Sequence, residues 1–308
     1  MLKVQMITPA EVVANWSPHL EAAFEEAGVT AKLGTDFDPE EVDYVIYAPG
    51  GGSADLSGYV NTKAVLGLWA GVESIIKNET LTQPYARMVD EGLTEGMVEW
   101  VTGHVLRHHL GMDAHITGRA GWDHSPPPLA RHRKVGILGL GVLGSASAQA
   151  LARLNFAVAG WSRSPKALPE VACFHGDAGL AQVLEQSEIL VLLLPSTPET
   201  ENTLNAETLA RMPEGAVILN PGRGALIDDD ALLAALDRGQ VGHATLDTFR
   251  VEPLPEDHPF WAHPHVTVTP HIASETRPET ASTVVAENIS RVEARQPLLH
   301  EVDKSRGY

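Results

Sequence analysis

Val135-Gly-Ile-Leu-Gly139-Leu-Gly141-Val-Leu-Gly144 is the stretch on which the reading of this 308-residue chain turns. It is an apolar strand that runs into a Gly-x-Gly-x-x-Gly turn and then into helical spacing near 142–154. Each glycine has its own task in such a turn. Gly139 permits the tight reversal, Gly141 lets backbone approach a diphosphate, and Gly144 lets the helix pack on the strand. Val142 and Leu143 open the helix, whose unpaired N–H groups and dipole favour an anion. The spacing alone is common, but between a strand and a helix it marks a dinucleotide-binding unit.

Outward from this turn the chain alternates strand and helix. Apolar runs at Val135–Leu138, Ala157–Trp161, Ile189–Leu194, Ala216–Asn220, His243–Asp247 and Val266–Thr269 read as six strands. Helices are expected near 142–154, 178–186, 205–212 and 228–238, and an amphipathic helix over 276–295. That is a doubly wound parallel sheet of the α/β class. The first hundred residues alternate as well, with strands at Leu2–Ile7, Tyr44–Tyr47 and Val65–Trp69 and helices at Pro18–Ala27 and Glu91–Leu110. Residues 118–134 include Pro126, Pro127 and Pro128, which exclude helix interior and central strand, so an exposed arm is expected there.

Composition narrows the partners. The formal charge is −18, which disfavours nucleic acid and anionic membranes. The longest apolar run, Ile189–Leu194, is too short to span a bilayer, and the N-terminus lacks a secretory pattern. With a single cysteine, Cys173, the expectation is a cytoplasmic, soluble protein. Residues 124–169 hold six basic residues and no acid, where about six acids are expected from the mean. The basic window surrounds the glycine turn, as a local anion site requires.

The end of the next strand distinguishes the dinucleotides. An NAD site carries Asp or Glu there, bonded to the ribose hydroxyls. This chain has Trp161-Ser-Arg163-Ser-Pro-Lys166 instead. Ser162, Arg163, Ser164 and Lys166 suit a 2′-phosphate, Arg163 by a bidentate grip, so NADP (NADPH) is favoured over NAD.

Three later segments belong together: Asn220-Pro-Gly-Arg223-Gly, Leu246-Asp247-Thr-Phe-Arg-Val-Glu252-Pro-Leu-Pro and Thr269-Pro-His271. Each follows the carboxyl end of an expected strand, where open α/β sheets bind ligands. An Arg, a Glu and a His at one edge suit reduction of a carbonyl beside a carboxylate. His271 would give a proton to the forming alkoxide, since imidazole titrates near neutral pH. Glu252 would orient the ring, and Arg223 would polarise the carbonyl and hold a carboxylate oxygen.

These motifs, in this order, resemble the D-isomer-specific 2-hydroxyacid dehydrogenase family, and within it the bacterial glyoxylate/hydroxypyruvate reductase A branch. The resemblance runs the length of the chain, down to the closing Val302-Asp-Lys-Ser-Arg-Gly-Tyr308. It implies a flavodoxin-like substrate-binding domain (1–100 plus 276–308) into which a Rossmann dinucleotide domain (101–275) is inserted. It also implies a homodimer, with the helix near 91–110 and the 118–134 arm at the interface. The activity implied is NADPH-dependent reduction of small 2-oxo acids, with bulkier 2-oxo acids, NADH use or a non-catalytic sensor as alternatives.

The resemblance further assigns the substrate carboxylate to the backbone of Ala70, Gly71 and Val72. It sets Asp247 against the nicotinamide amide, and Leu194, Pro195 and Thr197 beside the adenosine ribose. Tyr47 stands where the branch has an aromatic near the substrate, although a core role fits it equally. Three departures from the family pattern bear on the pocket: Trp69 for a smaller residue, Glu73 for Asp, and Pro221-Gly222 for small residues before Arg223. No metal is expected. His104 and His108 lack the Glu of a zinc motif and, with His109, read as solvated or interface histidines.

Overall fold

The structure is a computed structural model that describes residues 1–50, 55–119 and 121–304. Ala120 of the expected arm and residues 305–308 of the closing segment lie outside the described residues. The chain divides into two units, Met1–Leu93 with Glu275–Tyr308, and Thr94–Ser274.

Unit 1 begins with β1 (Leu2–Ile7), α1 (Ala10–Glu26), β2 (Ala31–Gly34), β3 (Tyr44–Tyr47), β4 (Ala64–Gly67) and β5 (Tyr85–Ala86). The next elements are α2 (Glu91–His109), α3 (Met112–Ile116), β6 (Lys134–Leu138), α4 (Val142–Arg153), β7 (Ala157–Ser162) and β8 (Ala172–His175). They are followed by α5 (Gly176–Gln186), β9 (Ile189–Leu192), α6 (Ala206–Ala210), β10 (Ala216–Asn220), α7 (Asp229–Asp237) and β11 (Val241–Leu246). Then come α8 (Pro259–Ala262), β12 (Val266–Val268) and α9 (Pro278–Glu293), the last of which returns to unit 1.

Unit 1 holds a parallel sheet in the order β2-β1-β3-β4-β5, the flavodoxin-like arrangement. Its core joins Trp16, Leu20 and Phe24 of α1 to Ala281, Val285 and Ile289 of α9. The spacing of apolar residues places the start of α1 at Pro18. The helix instead starts at Ala10 and carries Pro18 inside it. Burying Trp16 and packing Val12 and Val13 against the core outweighs the backbone hydrogen bond that Pro18 cannot donate. In the same turn Ser17 Oγ donates to Val13 O at 2.7 Å.

Unit 2 holds a parallel sheet in the order β12-β11-β10-β9-β6-β7-β8. It has one strand more than the pattern predicts, β8, which lies at the sheet edge and is only partly buried. The central strand Ile189–Leu192 is buried throughout, as strands covered on both faces are. Register fixes which residues share an edge. Leu138 pairs with Trp161 and Leu192, Asn220 with Leu246, and Leu246 with Val268. The loops after these residues therefore leave the sheet on one side. The arm is irregular apart from a turn at Ala130–His132, with Trp122 and Leu129 exposed. Among the described residues no helix is long and apolar enough to cross a membrane.

Candidate active site

The glycine turn has the geometry its sequence demands. Gly139 has φ +104°, a conformation L side chains rarely adopt. A Cβ on Gly144 would stand 1.8 Å from Gly139 O, so only glycine lets α4 start against the turn. A Cβ on Gly141, by contrast, would meet nothing within 4 Å. Gly141 caps α4 with no side-chain bond, and the first helical backbone bond to it comes from Ser145 N at 2.9 Å. The N–H groups of Val142, Leu143 and Gly144 precede that first bond, as a phosphate cradle requires. These residues fit a dinucleotide diphosphate.

At the end of β7, Arg163, Ser164 and Lys166 are exposed, while Ser162 is buried with Oγ donating to Ser164 O at 2.8 Å. Ser162 therefore shapes the turn that presents the two cations. Arg163 lies near enough to Glu199 to help hold that carboxyl below its usual range, after the larger effect of a Thr197 hydrogen bond. Pro195 and Thr197 lie in a loop closed by Thr200. Its hydroxyl donates to Pro195 O at 2.6 Å and accepts from Thr197 N at 2.9 Å. Leu194 belongs to the core beneath this loop.

Arg223, Glu252 and His271 follow β10, β11 and β12, as the sequence predicts. His271 Nδ1 lies 2.7 Å from Glu252 Oε2, and the other carboxylate oxygen accepts from Phe249 N at 2.8 Å. A carboxylate only accepts, so one ring hydrogen sits on Nδ1, and Nε2 is the working nitrogen, which in the doubly protonated ring carries the proton to be transferred. His271 is half exposed, as a proton donor to a bound molecule must be. Arg223 is partly buried and donates from Nη1 to Gly222 O at 2.7 Å.

Two buried side chains that hold this edge were not given that task by the sequence reading. Asn220 donates to Arg223 O at 2.9 Å and accepts from Gly222 N at 3.2 Å, closing the Pro221-Gly222 turn as an Asx turn does. An Asn two residues before a Gly at a strand end is the signal that could have found it. A Cβ at Gly222 would lie 2.8 Å from Leu192 O, so the departure to glycine lets this loop lie close to β9.

Asp247 is the second. It is fully buried, and its carboxylate accepts from Thr269 Oγ1 at 2.6 Å, Ile272 N at 2.9 Å and Ala273 N at 2.9 Å. Its backbone oxygen accepts from His271 N at 2.8 Å. Asp247 clamps the chain on both sides of His271. The clamp holds His271 at φ +54°, a left-handed conformation that a bulky residue rarely takes.

In unit 1, Ala70, Gly71 and Val72 form a short loop after β4, and their N–H groups have no partner among the described residues. Glu73 follows them, partly buried. Tyr47 is 8% exposed and packs in the core, and burial pushes its phenol pKa up against a Ser74 hydrogen bond.

The α2 histidines are not solvated. His109 is buried against Phe156, with ring centroids 4.9 Å apart. His108 stacks at 4.9 Å on His243 and bonds Thr245 Oγ1 at 3.0 Å. Burial drives the pKa of His108 down to about 3 and that of His243 to about 4. Met97 is likewise a core residue. Among the described residues no three His, Cys, Asp or Glu are grouped to hold a metal.

Comparison with known proteins places the chain among relatives of the same fold. The family model for the D-isomer specific 2-hydroxyacid dehydrogenase, NAD binding domain, matches residues 102–273. A D-isomer specific 2-hydroxyacid dehydrogenase from Xanthobacter autotrophicus Py2, solved with NADPH and MES, is 40% identical with a TM-score of 0.92. That match covers 100% of this chain and 99% of the other. The NADPH-dependent glyoxylate/hydroxypyruvate reductase of Sinorhizobium meliloti, solved with NADP and sulfate, is 33% identical at TM-score 0.87. A probable 2-hydroxyacid dehydrogenase from Rhizobium etli CFN 42, solved with NADP, HEPES and L(+)-tartaric acid, is 31% identical at TM-score 0.88. Both of these matches cover 100% of each chain.

Proposed function

This chain belongs to the D-isomer specific 2-hydroxyacid dehydrogenases, and we propose that it uses NADPH to reduce small 2-oxo acids, glyoxylate and hydroxypyruvate first, to D-2-hydroxy acids. The observation that carries this reading is the 2.7 Å pair of Glu252 and His271, which leaves Nε2 as proton donor at the strand edge. When bound, the nicotinamide supplies the hydride. Arg223 polarises the carbonyl and steadies the carboxylate, and His271 Nε2 delivers the proton to the alkoxide oxygen. The backbone of Ala70, Gly71 and Val72 holds the substrate carboxylate.

NADPH is preferred to NADH because the β7 end offers Arg163, Ser164 and Lys166 and no carboxylate of its own. The NADPH and NADP bound by the Xanthobacter and Sinorhizobium relatives support this choice. The protein acts in the cytoplasm as a homodimer that covers Ile116, Trp122 and Leu129, which are exposed in the single chain. Following NADPH absorbance with glyoxylate, hydroxypyruvate and phenylpyruvate tests the reading. Oxidation with the first two supports it. Silence with every 2-oxo acid, with NADPH still bound, replaces it by a dinucleotide sensor.

A further inference from the structure

Trp69 stands directly before the Ala70–Val72 loop, and the reaction above gives it no task. Its ring meets that of Trp16 edge to face, with centroids 6.0 Å apart and planes at 75°. Trp16 is 2% exposed in the core of unit 1, and Trp69 packs against that same core, so the outer indole is fixed. Beside it opens a cavity of about 500 Å³, lined by Trp69 together with Glu11 and Trp16 of α1 and with Glu275, Arg277 and Glu279 before and at the start of α9. α1 follows β1 and Trp69 follows β4, so the cavity lies at the carboxyl edge of this unit's sheet.

The charges of this lining have unequal explanations. Glu11 and Glu279 sit in the first turns of 17- and 16-residue helices, where a carboxylate offsets the positive end of the dipole. Arg277 stands at the N-cap of α9, where a cation opposes the dipole and a guanidinium cannot cap. It has no side-chain partner among the described residues, and helix stability does not account for it. The cavity thus offers a flat aromatic wall, an uncommitted donor fork and carboxylate acceptors. An anionic tail meets three glutamates there, and a cationic tail meets Arg277. A hydroxyl, which accepts from Arg277 and donates to a glutamate, satisfies both.

Building on the proposed reduction of 2-oxo acids, we infer that this cavity is a subsite for the substrate's tail and selects a flat, uncharged tail ending in a hydroxyl. The tail stacks on Trp69 and bonds Arg277, so 4-hydroxyphenylpyruvate is a substrate alongside glyoxylate, which has no tail to place.

Steady-state kinetics with NADPH test this on the wild type, Trp69→Leu, Trp69→Phe and Arg277→Met. The wild type reduces both substrates. Trp69→Leu lowers kcat/KM for 4-hydroxyphenylpyruvate about tenfold, through KM, and leaves glyoxylate within about twofold. Trp69→Phe, which keeps a ring, restores most of the loss. Arg277→Met abolishes the preference for 4-hydroxyphenylpyruvate over phenylpyruvate. A rise in aromatic turnover on Trp69→Leu would make the indole a plug and overturn the inference. Equal changes for both substrates, or a wild type that reduces glyoxylate alone, also overturn it and leave the parent reading standing. A wild type that oxidises NADPH with neither substrate removes the parent reading and this one together.

Discussion

The carboxyl edges of the two sheets present functional groups in opposite ways. In unit 2 the edge consists of side chains held by other side chains: Asn220 on the Arg223 turn, Asp247 on the His271 segment, Thr200 on the Pro195 loop and Glu252 on His271. In unit 1 the edge consists of bare backbone N–H groups after β4, backed by an immobile aromatic pair. Chemistry needs a fixed proton donor and a fixed cation, and side chains reach such precision only when clamped. Anchoring a carboxylate needs several convergent donors, which backbone supplies without rotamer entropy.

The largest expected effect sharpens this contrast. His271→Ala should lower kcat by about 10³-fold while the dissociation constant for NADPH, measured by fluorescence, stays within about twofold. An equal loss of cofactor binding would show that the edge had collapsed and that chemistry was not the only loss. Asp247→Asn tests the clamp itself. One amide now faces a backbone N–H that the carboxylate had accepted, so kcat should fall about 10²-fold and the thermal midpoint should drop as well. A full-rate Asp247→Asn enzyme would break the claim that clamping sets the edge.

Arg163→Ala should raise KM for NADPH about tenfold and leave that for NADH nearly unchanged. Equal shifts would remove Arg163 from the 2′-phosphate. Gly144→Ala and Gly141→Ala form a paired test of the turn. The first places a methyl 1.8 Å from Gly139 O and should destabilise the fold by about 1–3 kcal/mol in urea titrations. The second enters open space, so it should leave stability unchanged and weaken only NADPH binding.

The smallest effect concerns pH. His108 and His243 are held neutral by burial, with pKa values lowered from 6.5 to about 3 and about 4. The unfolded chain therefore binds more protons over that range, and stability is fullest above about pH 6.5 and declines toward pH 4. His243→Gln should flatten the slope of urea midpoint against pH. An unchanged slope would assign acid sensitivity to other groups.

What the sequence made legible follows from burial. Central strands such as Ile189–Leu192 are covered on both faces and read as continuous apolar runs. The strands that escaped notice, β2, β5 and β8, are all sheet edges: β2 and β8 carry Lys32 and His175 on partly exposed backbone, and β5 is two residues long. The glycine turn and the Arg223, Glu252 and His271 set were legible because each is tied to a strand end. The work of Asp247 was not, because a motif records which acid is present and not what its oxygens accept. The packing of His108 and His109 was not legible either, for a similar reason. Their spacing describes the helix, whereas their environment is set by β11 and by Phe156, far away in sequence.

The return of α9 to unit 1 has a consequence for how the molecule is made. Ala281, Val285, Ala286 and Ile289 are at most 1% exposed in a core whose other members lie before residue 90. During synthesis the whole of Thr94–Ser274 emerges before that core can close. The first unit to be translated is thus the last to be completed, and a chain arrested before Pro278 presents the apolar face of α1 to whatever chaperone or protease meets it.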